Sequence, residues 1–407
     1  MILKNKVIVF LGNTRFDSPI QSTALFIAKN FAKENKVYFI DYPFTLKDYY
    51  QYISSNDHQE RSDKFSIFSD GLLETEIENL KILITPPVLP INFLPEGFFF
   101  RKILKFNESI LSWRLKKTLK KDGVKEFIFI NSFNFHYPNI AQRIKPALTV
   151  YHCVDPMIMP YDKKHGIISE HQLVKQSDLV ICTSRALYEE KKNLNSKTYF
   201  VANATASDHS QLSKDLGPAL HPKLEHLQKP IIGYLGTIER RINYDLVIEL
   251  AKMNPEKSFV FAGPLAAEHI PEEFYSIPNI ILTGSIPYEE VPQLINSFDL
   301  AIIPFKKDEV SRTIFPIKLF EYLSAGKPIV MTDFNLDLKE FTEDSVLYCE
   351  DVHSFSAAID IQLKEDSKDK INTRQLLAKE NTWENRAAQI DEILSHHLAD
   401  QLNSASI

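Results

Sequence analysis

Glycine is scarce in this chain of 407 residues, which contains only 11 of them, against a usual share of about 7%. We therefore expect several of the remaining glycines to occupy positions where the backbone needs special freedom. Cysteine is scarcer still, with Cys153, Cys182 and Cys349 and no Cys-x-x-Cys pair. Their odd number and wide spacing argue against a disulfide framework and a structural zinc site, and fit a reducing cytoplasm.

The sequence also lacks any apolar stretch approaching the roughly 18 residues of a membrane-spanning helix. Its opening apolar run ends at Gly12 and has neither the length nor the cleavage site of a signal peptide, so we expect a first β-strand there. The sequence therefore predicts a cytoplasmic protein whose membrane contact, if it has one, is peripheral and on the inner face of the cell membrane.

The charge is unevenly distributed along the chain. The total is −6, too acidic for a nucleic-acid coat protein, so we expect no nucleic-acid partner. Residues 1–200 carry 28 basic and 21 acidic side chains, whereas residues 201–407 carry 19 and 32. The two halves thus have net charges of +7 and −13, which suggests that they meet different partners.

Short apolar runs alternate with amphipathic stretches through most of the chain, a pattern typical of parallel α/β sheets covered on both faces. Residues 204–229 interrupt the pattern with Ser, Asp, His, Gly and Pro, as a domain link would. We therefore predict an α/β protein with two Rossmann-like doubly wound domains, at 1–203 and 230–380, facing across a cleft. Residues 381–407 should form a closing helix that packs back towards the first domain.

Several glycines of the second half end or follow predicted strands, notably Gly236, Gly263 and Gly284. Ligands of open parallel sheets bind at the carboxyl ends of the strands, where a bare backbone lets a phosphate or sugar approach closely. Each glycine alone could equally serve an ordinary tight turn. None fits the Gly-x-Gly-x-x-Gly or Walker pattern, which argues against dinucleotide and P-loop ATP binding.

The segment 311–330 predicts a helix with an anion site at its start. Pro316 suits the first helical turn, and Gly326 suits the position just beyond the end. Lys318 would add its ammonium to the unpaired N–H groups of that turn, which suits a diphosphate. Glu321, on the same face, could accept hydrogen bonds from ribose hydroxyls. The alternative is a solvated Lys318–Glu321 pair.

Several ordered motifs run through the second half: Gly233-Tyr-Leu-Gly236, Phe261-Ala-Gly-Pro264, Pro278–Gly284, Phe298–Pro304 and Pro316–Val330. With them the second half resembles the nucleotide-binding half of GT-B glycosyltransferases, particularly the family 4-like enzymes of bacterial polysaccharide and teichuronic-acid biosynthesis. The first half is similar through Tyr151-His-Cys-Val-Asp155 and 177–188, and the closing Thr382-Trp-Glu-Asn-Arg386 resembles the C-terminal helix of that family.

This resemblance implies that Lys318 contacts the donor diphosphate, that Glu321 contacts the ribose and that the backbone at Ile317 lies against the base. Arg241 would be a second phosphate cation, although it could also be a surface arginine beside Arg240. The donor would be a UDP- or GDP-linked sugar, with no metal or other cofactor. The further donor-site residues are Gly236, Thr237, Gly263, Arg312 and Thr313.

Two departures from the family pattern affect the donor sugar and the stereochemical outcome. Retaining members usually carry Glu-x7-Glu, whose first Glu touches the sugar, but this chain has Thr313 in that place. The usual Asn-Gly-Val-Asp is replaced by Asn203-Ala-Thr-Ala206. The sequence therefore leaves retention and inversion open.

An inverting transfer needs a base for the acceptor hydroxyl, and Asp155 is the first candidate because it follows the strand predicted at 147–151. Asp155 could instead cap the turn before Pro156. His136 and His152 are alternative bases, although a lone histidine is more often structural. Gly12, at the end of the first strand, is assigned to the acceptor side.

Residues 93–121 combine eight basic and two acidic side chains with large aromatics, a mixture that suits peripheral docking on an anionic bilayer. The alternative is an ordinary helix with a solvated basic face and a buried aromatic face. The residues assigned to the acceptor or membrane are Phe98, Phe99, Phe100, Arg101, Lys102, Lys105 and Trp113.

Together these features predict a glycosyltransferase that moves sugar from a nucleotide donor to a lipid-linked or otherwise membrane-associated glycan. The alternatives are a GT-B-fold nucleotide-sugar epimerase and a nucleotide-sugar-binding protein whose catalytic contacts have decayed, which Thr313 and the 203–206 substitution would fit.

Overall fold

Two separate sheets organise the chain, as seen in a computed structural model that describes residues 2–18, 22–54, 61–205 and 220–405. One unit contains the described residues up to Ala202 together with those from Arg386 onward, and the second unit is Asn203–Asn385. Residues 206–219, within the predicted link, lie outside the described residues. Residues 220–229 are not a bare link, because they belong to the second unit and the Leu224 side chain is buried there.

The first unit has an eight-stranded sheet in the order β3-β4-β2-β1-β5-β6-β7-β8. All neighbouring strands are parallel except β3, which runs antiparallel to β4 at one edge. Most of these strands are buried along their length, which explains their near-continuous apolar sequences. The strands are β1 Val7–Leu11, β2 Lys36–Ile40, β3 Leu72–Glu74, β4 Leu80–Leu83, β5 Ile128–Ser132, β6 Leu148–Cys153, β7 Leu179–Cys182 and β8 Thr198–Phe200.

Helices connect these strands, and local capping explains where several begin. The Ser22 hydroxyl accepts a hydrogen bond from Leu25 N–H at the start of α1, and Thr45 and Asp48 form a capping box at the start of α2. The helices are α1 Thr23–Phe31, α2 Leu46–Ile53, α3 Phe98–Lys121, α4 Ile140–Ile144, α5 Pro160–Gln176 and α6 Arg185–Lys192.

The second unit has a six-stranded, wholly parallel sheet in the order β11-β10-β9-β12-β13-β14. Its strands are β9 Ile231–Leu235, β10 Ser258–Ala262, β11 Ile280–Gly284, β12 Leu300–Ile303, β13 Ile329–Thr332 and β14 Val346–Cys349. Its helices are α7 Tyr244–Met253, α8 Glu272–Ser276, α9 Val291–Ser297, α10 Ile317–Ser324, α11 Lys339–Thr342, α12 Val352–Glu365 and α13 Lys368–Glu380.

The strand order of the second unit identifies where a ligand would bind. The chain adds β10 and β11 on one side of β9, then crosses to add β12, β13 and β14 on the other side. Such a reversal leaves a crevice outside the carboxyl ends of the two strands that flank it. The crevice of this unit therefore lies at the ends of β9 and β12.

The closing helix, α14 Trp383–Ala405, belongs to the first unit from Arg386 onward. The Asp391 carboxylate accepts a hydrogen bond of 2.9 Å from Leu3 N–H, and Tyr199 Oη and His397 Nε2 lie 2.7 Å apart. Across the described ranges, no helix is both long and apolar enough to cross a membrane.

Candidate functional site

Three glycines line the carboxyl edge of neighbouring strands in the second unit. Gly236 follows β9, Gly263 follows β10 and Gly284 ends β11. Gly236 N–H donates to the Ala262 carbonyl over 2.8 Å, and Gly263 N–H donates to the Gly284 carbonyl over 2.9 Å. These bonds hold the three turns together and leave the edge of the sheet without side chains at these positions.

The backbone at this edge could not accommodate larger residues. Gly263 has φ +144°, and a Cβ atom there would lie 2.2 Å from the Gly236 carbonyl oxygen. Gly236 has φ +132°, and its Cβ would lie 2.5 Å from Lys318 Nζ. Both glycines are therefore required by a close approach and by the backbone angle.

Helix α10 begins beside these glycines and has a well-defined start and end. Pro316 is its N-cap rather than its first helical residue, and Ile317 and Lys318 occupy the first turn. At the other end Gly326 has φ +70°, and the N–H groups of Gly326 and Lys327 donate to the carbonyls of Leu323 and Tyr322. This is a Schellman motif, so Pro316 and Gly326 lie at the two ends of the helix, as predicted.

Lys318 lies among aromatic groups at the end of β9. Its ammonium donates to the Tyr234 hydroxyl over 2.6 Å, and lies 3.9 Å from the Tyr234 ring centre and 5.1 Å from that of Phe305. Among the described residues, no carboxylate oxygen comes within ion-pair distance of Lys318 Nζ. The cation is thus held by a hydroxyl and two aromatic faces, without a paired anion.

The environment of Lys318 disfavours its charge. Burial, and next the nearby Arg241 guanidinium, hold the pKa of Lys318 well below its usual range, while Glu321 and Glu239 act in the opposite direction. Arg241 is itself paired with Glu239 and lies over the Phe305 ring at 5.6 Å. A bound anion would stabilise the charged form of Lys318 and so raise its pKa.

The other predicted donor residues divide into two groups. Glu321, Ile317 and Thr237 are half-buried near Lys318 and Tyr234, and the Thr237 carbonyl accepts a hydrogen bond from the Tyr234 hydroxyl over 3.2 Å. Arg312 is exposed and pairs with Glu309 at 2.7 Å, which ties it to its own turn.

The Thr313 hydroxyl also has a partner in its own turn, because it donates a hydrogen bond to the Val310 carbonyl over 2.7 Å. It closes the 3-10 turn Ser311–Thr313, just ahead of α10. The residue that replaces the family's first glutamate therefore has a local structural role.

Sequence reasoning missed the residues that hold Lys318 and its helix in place. Besides Tyr234 and Phe305, the Tyr322 hydroxyl accepts a hydrogen bond from Leu235 N–H over 2.7 Å and joins α10 to β9. The Asn203 side-chain amide donates to the Phe315 carbonyl over 2.9 Å, just before the helix. The aromatic residue in Gly233-Tyr-Leu-Gly236 was the one visible signal.

The first unit contains a cavity of about 850 Å³, towards the upper end of the range for small-molecule sites. It lies where β2 and β5 end, and eight Phe and Tyr side chains from several elements contribute to its lining. Arg15, Lys47 and Lys164 contribute positive charge to the lining, and Asp48 contributes negative charge. The aromatic members are Tyr42, Phe44, Tyr52, Phe93, Phe100, Phe135, Tyr137 and Tyr161.

The candidate bases differ in their surroundings. His136 lines the cavity, and its Nε2 lies 3.7 Å from an Asp162 oxygen. Burial, together with the neighbouring His165, lowers the pKa of His136 to about 4. Asp155 is exposed and follows β6, whereas His152 is buried 3.0 Å from the Ser132 hydroxyl and is structural. The role of Asp155 or His136 as a base stays a prediction.

Gly12 is buried and closes the end of β1. Its carbonyl accepts a hydrogen bond from the Asn134 side chain over 2.8 Å, and a Cβ there would lie 2.5 Å from the Phe39 ring. Gly12 thus permits close packing of the aromatic ring beneath it. It is not among the residues that line the cavity.

Helix α3 separates the predicted membrane residues into two classes. Phe98 and Phe99 are 74% and 75% exposed, and Trp113 is 44% exposed; Lys102 and Lys105 are exposed as well. Of the two roles assigned to Phe100, membrane contact does not fit its burial, whereas the acceptor role stays a prediction.

Phe100 is buried, stacks on the His165 ring at 3.6 Å and lines the cavity. Arg101 is half-buried, forms an ion pair with Glu96 and donates a hydrogen bond to the Ser169 hydroxyl. Its guanidinium is therefore largely engaged by groups of the first unit.

Metal ligands do not gather at either site. Among the residues that the structure describes, no group of three or more His, Cys, Asp or Glu side chains could hold a metal ion. The absence of a metal cofactor stays a prediction.

Comparison with known proteins finds a family model that matches slightly less than half of the chain. Residues 218–405 match the model of the glycosyl transferases group 1 family. The matched segment contains Lys318, Glu321 and the three edge glycines, so the similarity to the family and the candidate site lie in the same part of the chain.

One curated relative is named for a role in polysaccharide biosynthesis. The chain is 26% identical over 213 residues to a protein of Bacillus subtilis strain 168 named as a teichuronic acid biosynthesis glycosyltransferase, TuaH. The match includes 48% of this chain and 53% of the relative. The chain therefore spans about half the length of the curated relative that it matches.

Solved structures match almost the whole chain. The trehalose 6-phosphate synthase of Burkholderia multivorans has a TM-score of 0.71 at 8% identity, covering 99% of both chains. HepE of Anabaena in complex with UDP has a TM-score of 0.61 at 14% identity, covering 96% of this chain and all of that one. The sucrose-phosphate synthase of Thermosynechococcus elongatus has a TM-score of 0.63 at 12% identity, covering 97% and 100%.

These matches, with the two parallel-sheet α/β units, confirm the predicted GT-B fold class and the predicted similarity to bacterial glycosyltransferases. The roles of individual site residues stay predictions.

Proposed function

We propose that the protein transfers a sugar from a UDP- or GDP-linked donor to a lipid-linked or otherwise membrane-associated glycan, in the biosynthesis of a surface polysaccharide. The observation that carries the proposal is the position of Lys318 in the first turn of α10, beside Gly236 and without a paired carboxylate within the described part of the chain.

The diphosphate of the donor suits this position on electrostatic grounds. When the bond between the sugar and the diphosphate breaks, negative charge accumulates on the departing oxygen. Lys318, Arg241 and the N–H groups at the start of α10 would stabilise that charge, because preorganised donors cost no reorganisation when the charge develops. Glu321 would accept hydrogen bonds from the ribose.

A uridine nucleotide is favoured by the neighbour that holds UDP, HepE. The family relative named for teichuronic acid biosynthesis favours a polysaccharide as the product. The acceptor would enter the aromatic cavity of the first unit, since sugar rings pack well on aromatic side chains.

For an inverting transfer we propose Asp155 as the base that takes the proton of the acceptor hydroxyl. A neutral His136 could hydrogen-bond the acceptor, but a pKa of about 4 makes it a weak base at neutral pH.

Membrane association is proposed from one face of α3. Phe98, Phe99, Phe106 and Trp113 are exposed on it together with Lys102 and Lys120. At 3.6 residues per turn these side chains fall within about 60° of Trp113. Aromatics interleaved with lysines suit an anionic bilayer surface, where each lysine contributes about 1 kcal/mol.

The test is to incubate the protein with UDP-, GDP- and CMP-sugars and to measure nucleotide release with and without a bacterial membrane lipid extract as the acceptor source. The proposal expects release of UDP or GDP that depends on the extract. Isomerised or hydrolysed sugar without the extract would indicate an epimerase instead. Ligand-induced thermal stabilisation without any turnover would indicate a binding protein.

A further inference from the structure

A second hollow of the first unit, with a volume of about 470 Å³, lies on the outer side of α3 and is separate from the aromatic cavity. Trp113 and Ser112 contribute to its lining, together with Arg143 of α4. Three lysines from the last two turns of α3 complete the cationic lining: Lys116, Lys117 and Lys120. We call this hollow the α3 groove.

The cations of the α3 groove are poorly compensated. Within the described ranges, neither Lys116 nor Lys120 has a carboxylate within ion-pair distance. Lys117 Nζ donates to the carbonyls of Ile67 and Ser69, at 3.2 and 3.4 Å, and lies 5.3 Å from the centre of the Trp113 ring.

Arg143 is oriented by the Ser109 hydroxyl and the Lys105 carbonyl, both at 2.9 Å. Its guanidinium also forms an ion pair with the buried Glu108 carboxylate, at 3.8 Å, so the uncompensated charge of the groove lies on its lysines.

A buried hydroxyl in the groove is also unsatisfied. Ser112 is only 4% exposed, and none of the residues that the structure describes offers its Oγ a hydrogen-bond partner. Buried polar atoms without partners are rare, and each one calls for a physical reason. Ser112 lines the groove together with Trp113 and the cations, and its Oγ is itself buried. A rotation of this side chain towards a bound oxyanion would satisfy the hydroxyl as well as the ammonium groups.

We propose that the α3 groove binds the phosphate headgroup of an anionic lipid. Phosphate matches four cations and a hydroxyl, and the neighbouring aromatics select a lipid over a soluble phosphate. Phe106 and Trp113 are 55% and 44% exposed on the same helix face, so they would contact the glycerol and acyl region while the headgroup occupies the groove.

This inference rests on the proposed membrane association and sharpens it from general attraction to a defined headgroup site. General attraction depends only on the number of cations near the surface. A headgroup site depends on which cations are present and on an uncharged hydroxyl.

The chain provides its own reporter for the test. It has two tryptophans, of which Trp383 is 2% exposed whereas Trp113 lies in the groove. The full-length protein is titrated with dihexanoyl-phosphatidylglycerol below its micelle concentration while Trp113 fluorescence is followed. Inorganic phosphate and dihexanoyl-phosphatidylcholine form parallel arms. We expect saturable binding of the phosphatidylglycerol and at least about tenfold weaker binding of the other two.

The groove variant Lys116→Gln/Lys120→Gln is compared with Lys102→Gln/Lys105→Gln, which removes the same charge from α3 outside the groove. We expect the groove variant to weaken phosphatidylglycerol binding by at least about tenfold, Ser112→Ala by several-fold, and the control by less than about twofold. Thermal unfolding checks that every variant is folded, and nucleotide-induced stabilisation should be unchanged in all of them.

Equal losses in the groove and control variants, or unchanged binding by Ser112→Ala, would overturn the headgroup site. Inorganic phosphate that binds as tightly as the lipid would overturn the choice of a lipid ligand. Flotation with phosphatidylglycerol vesicles tests membrane association separately from headgroup binding. A protein that binds the monomeric lipid but does not float retains the site and loses the proposed membrane association.

Discussion

Replacing the three edge glycines by alanine, one at a time, should destabilise the protein in a graded order. At Gly263 the new Cβ would lie 2.2 Å from a backbone oxygen, and φ is +144°. The unfavourable backbone angle costs about 1–3 kcal/mol, and a clash that no side chain can relieve adds about 1–3 kcal/mol. At Gly284 φ is +69° and nothing lies within 4 Å, so only the left-handed conformation costs energy, about 1–2 kcal/mol.

Gly236→Ala separates stability from binding. Its Cβ would meet Lys318 Nζ at 2.5 Å, and the end of a long side chain can move away. The free energy of unfolding should therefore fall only by the cost of the unfavourable backbone angle, about 1–3 kcal/mol. Nucleotide affinity should fall as well, because the Lys318 ammonium is displaced.

Urea unfolding followed by circular dichroism measures the stability order, and titration calorimetry with UDP and GDP measures the affinity. A Gly284→Ala protein destabilised as much as Gly263→Ala would refute the reasoning. So would a Gly236→Ala protein with full nucleotide affinity.

Two further predictions concern charge and exposure. Because the pKa of Lys318 lies well below its usual range without ligand, and a bound diphosphate would raise it, binding should take up a proton. Nucleotide affinity should then fall as the pH rises towards the ordinary lysine pKa of about 10.4. Calorimetry in buffers of different ionisation enthalpy measures the number of protons taken up on binding. A proton uptake of zero at every pH would contradict this prediction. Phe98→Ser/Phe99→Ser should change stability by less than about 0.5 kcal/mol per site and abolish flotation with anionic vesicles. Phe100→Ser should cost about 3–5 kcal/mol, so equal stabilities of the two proteins would contradict the assigned burial.

Regular elements were predictable because their signals are local. The strands from β9 to β14 match apolar runs bounded by turn residues, and Pro316 and Gly326 mark the ends of α10 to within one residue. The antiparallel β3 has only three residues and no alternation, which leaves no pattern to recognise.

The orientation of the three consecutive phenylalanines could have been found. Phe100, Leu104, Leu111 and Leu115 are spaced by four, seven and four residues and are all buried, so their helical period assigns Phe100 to the core and its two neighbours to the surface.

The surroundings of Lys318 could not be predicted in the same way. Tyr234 lies 84 residues before Lys318, and only the three-dimensional fold brings them together. The same holds for Asn203 and Phe315, which are 112 residues apart. Motifs identify which residues carry charge, whereas desolvation and hydrogen-bond partners depend on packing between distant segments.

Titration calorimetry with UDP and GDP on the wild-type protein, Lys318→Ala and the control Lys364→Ala tests the donor site most directly. Lys364 is an exposed lysine of α12 in the same unit, so its loss removes the same charge away from the edge glycines. Charge-assisted hydrogen bonds contribute about 1.5–3 kcal/mol, so Lys318→Ala should bind its nucleotide about 10- to 100-fold more weakly, with Lys364→Ala unchanged. Wild-type affinity in folded Lys318→Ala would contradict a diphosphate site at the start of α10.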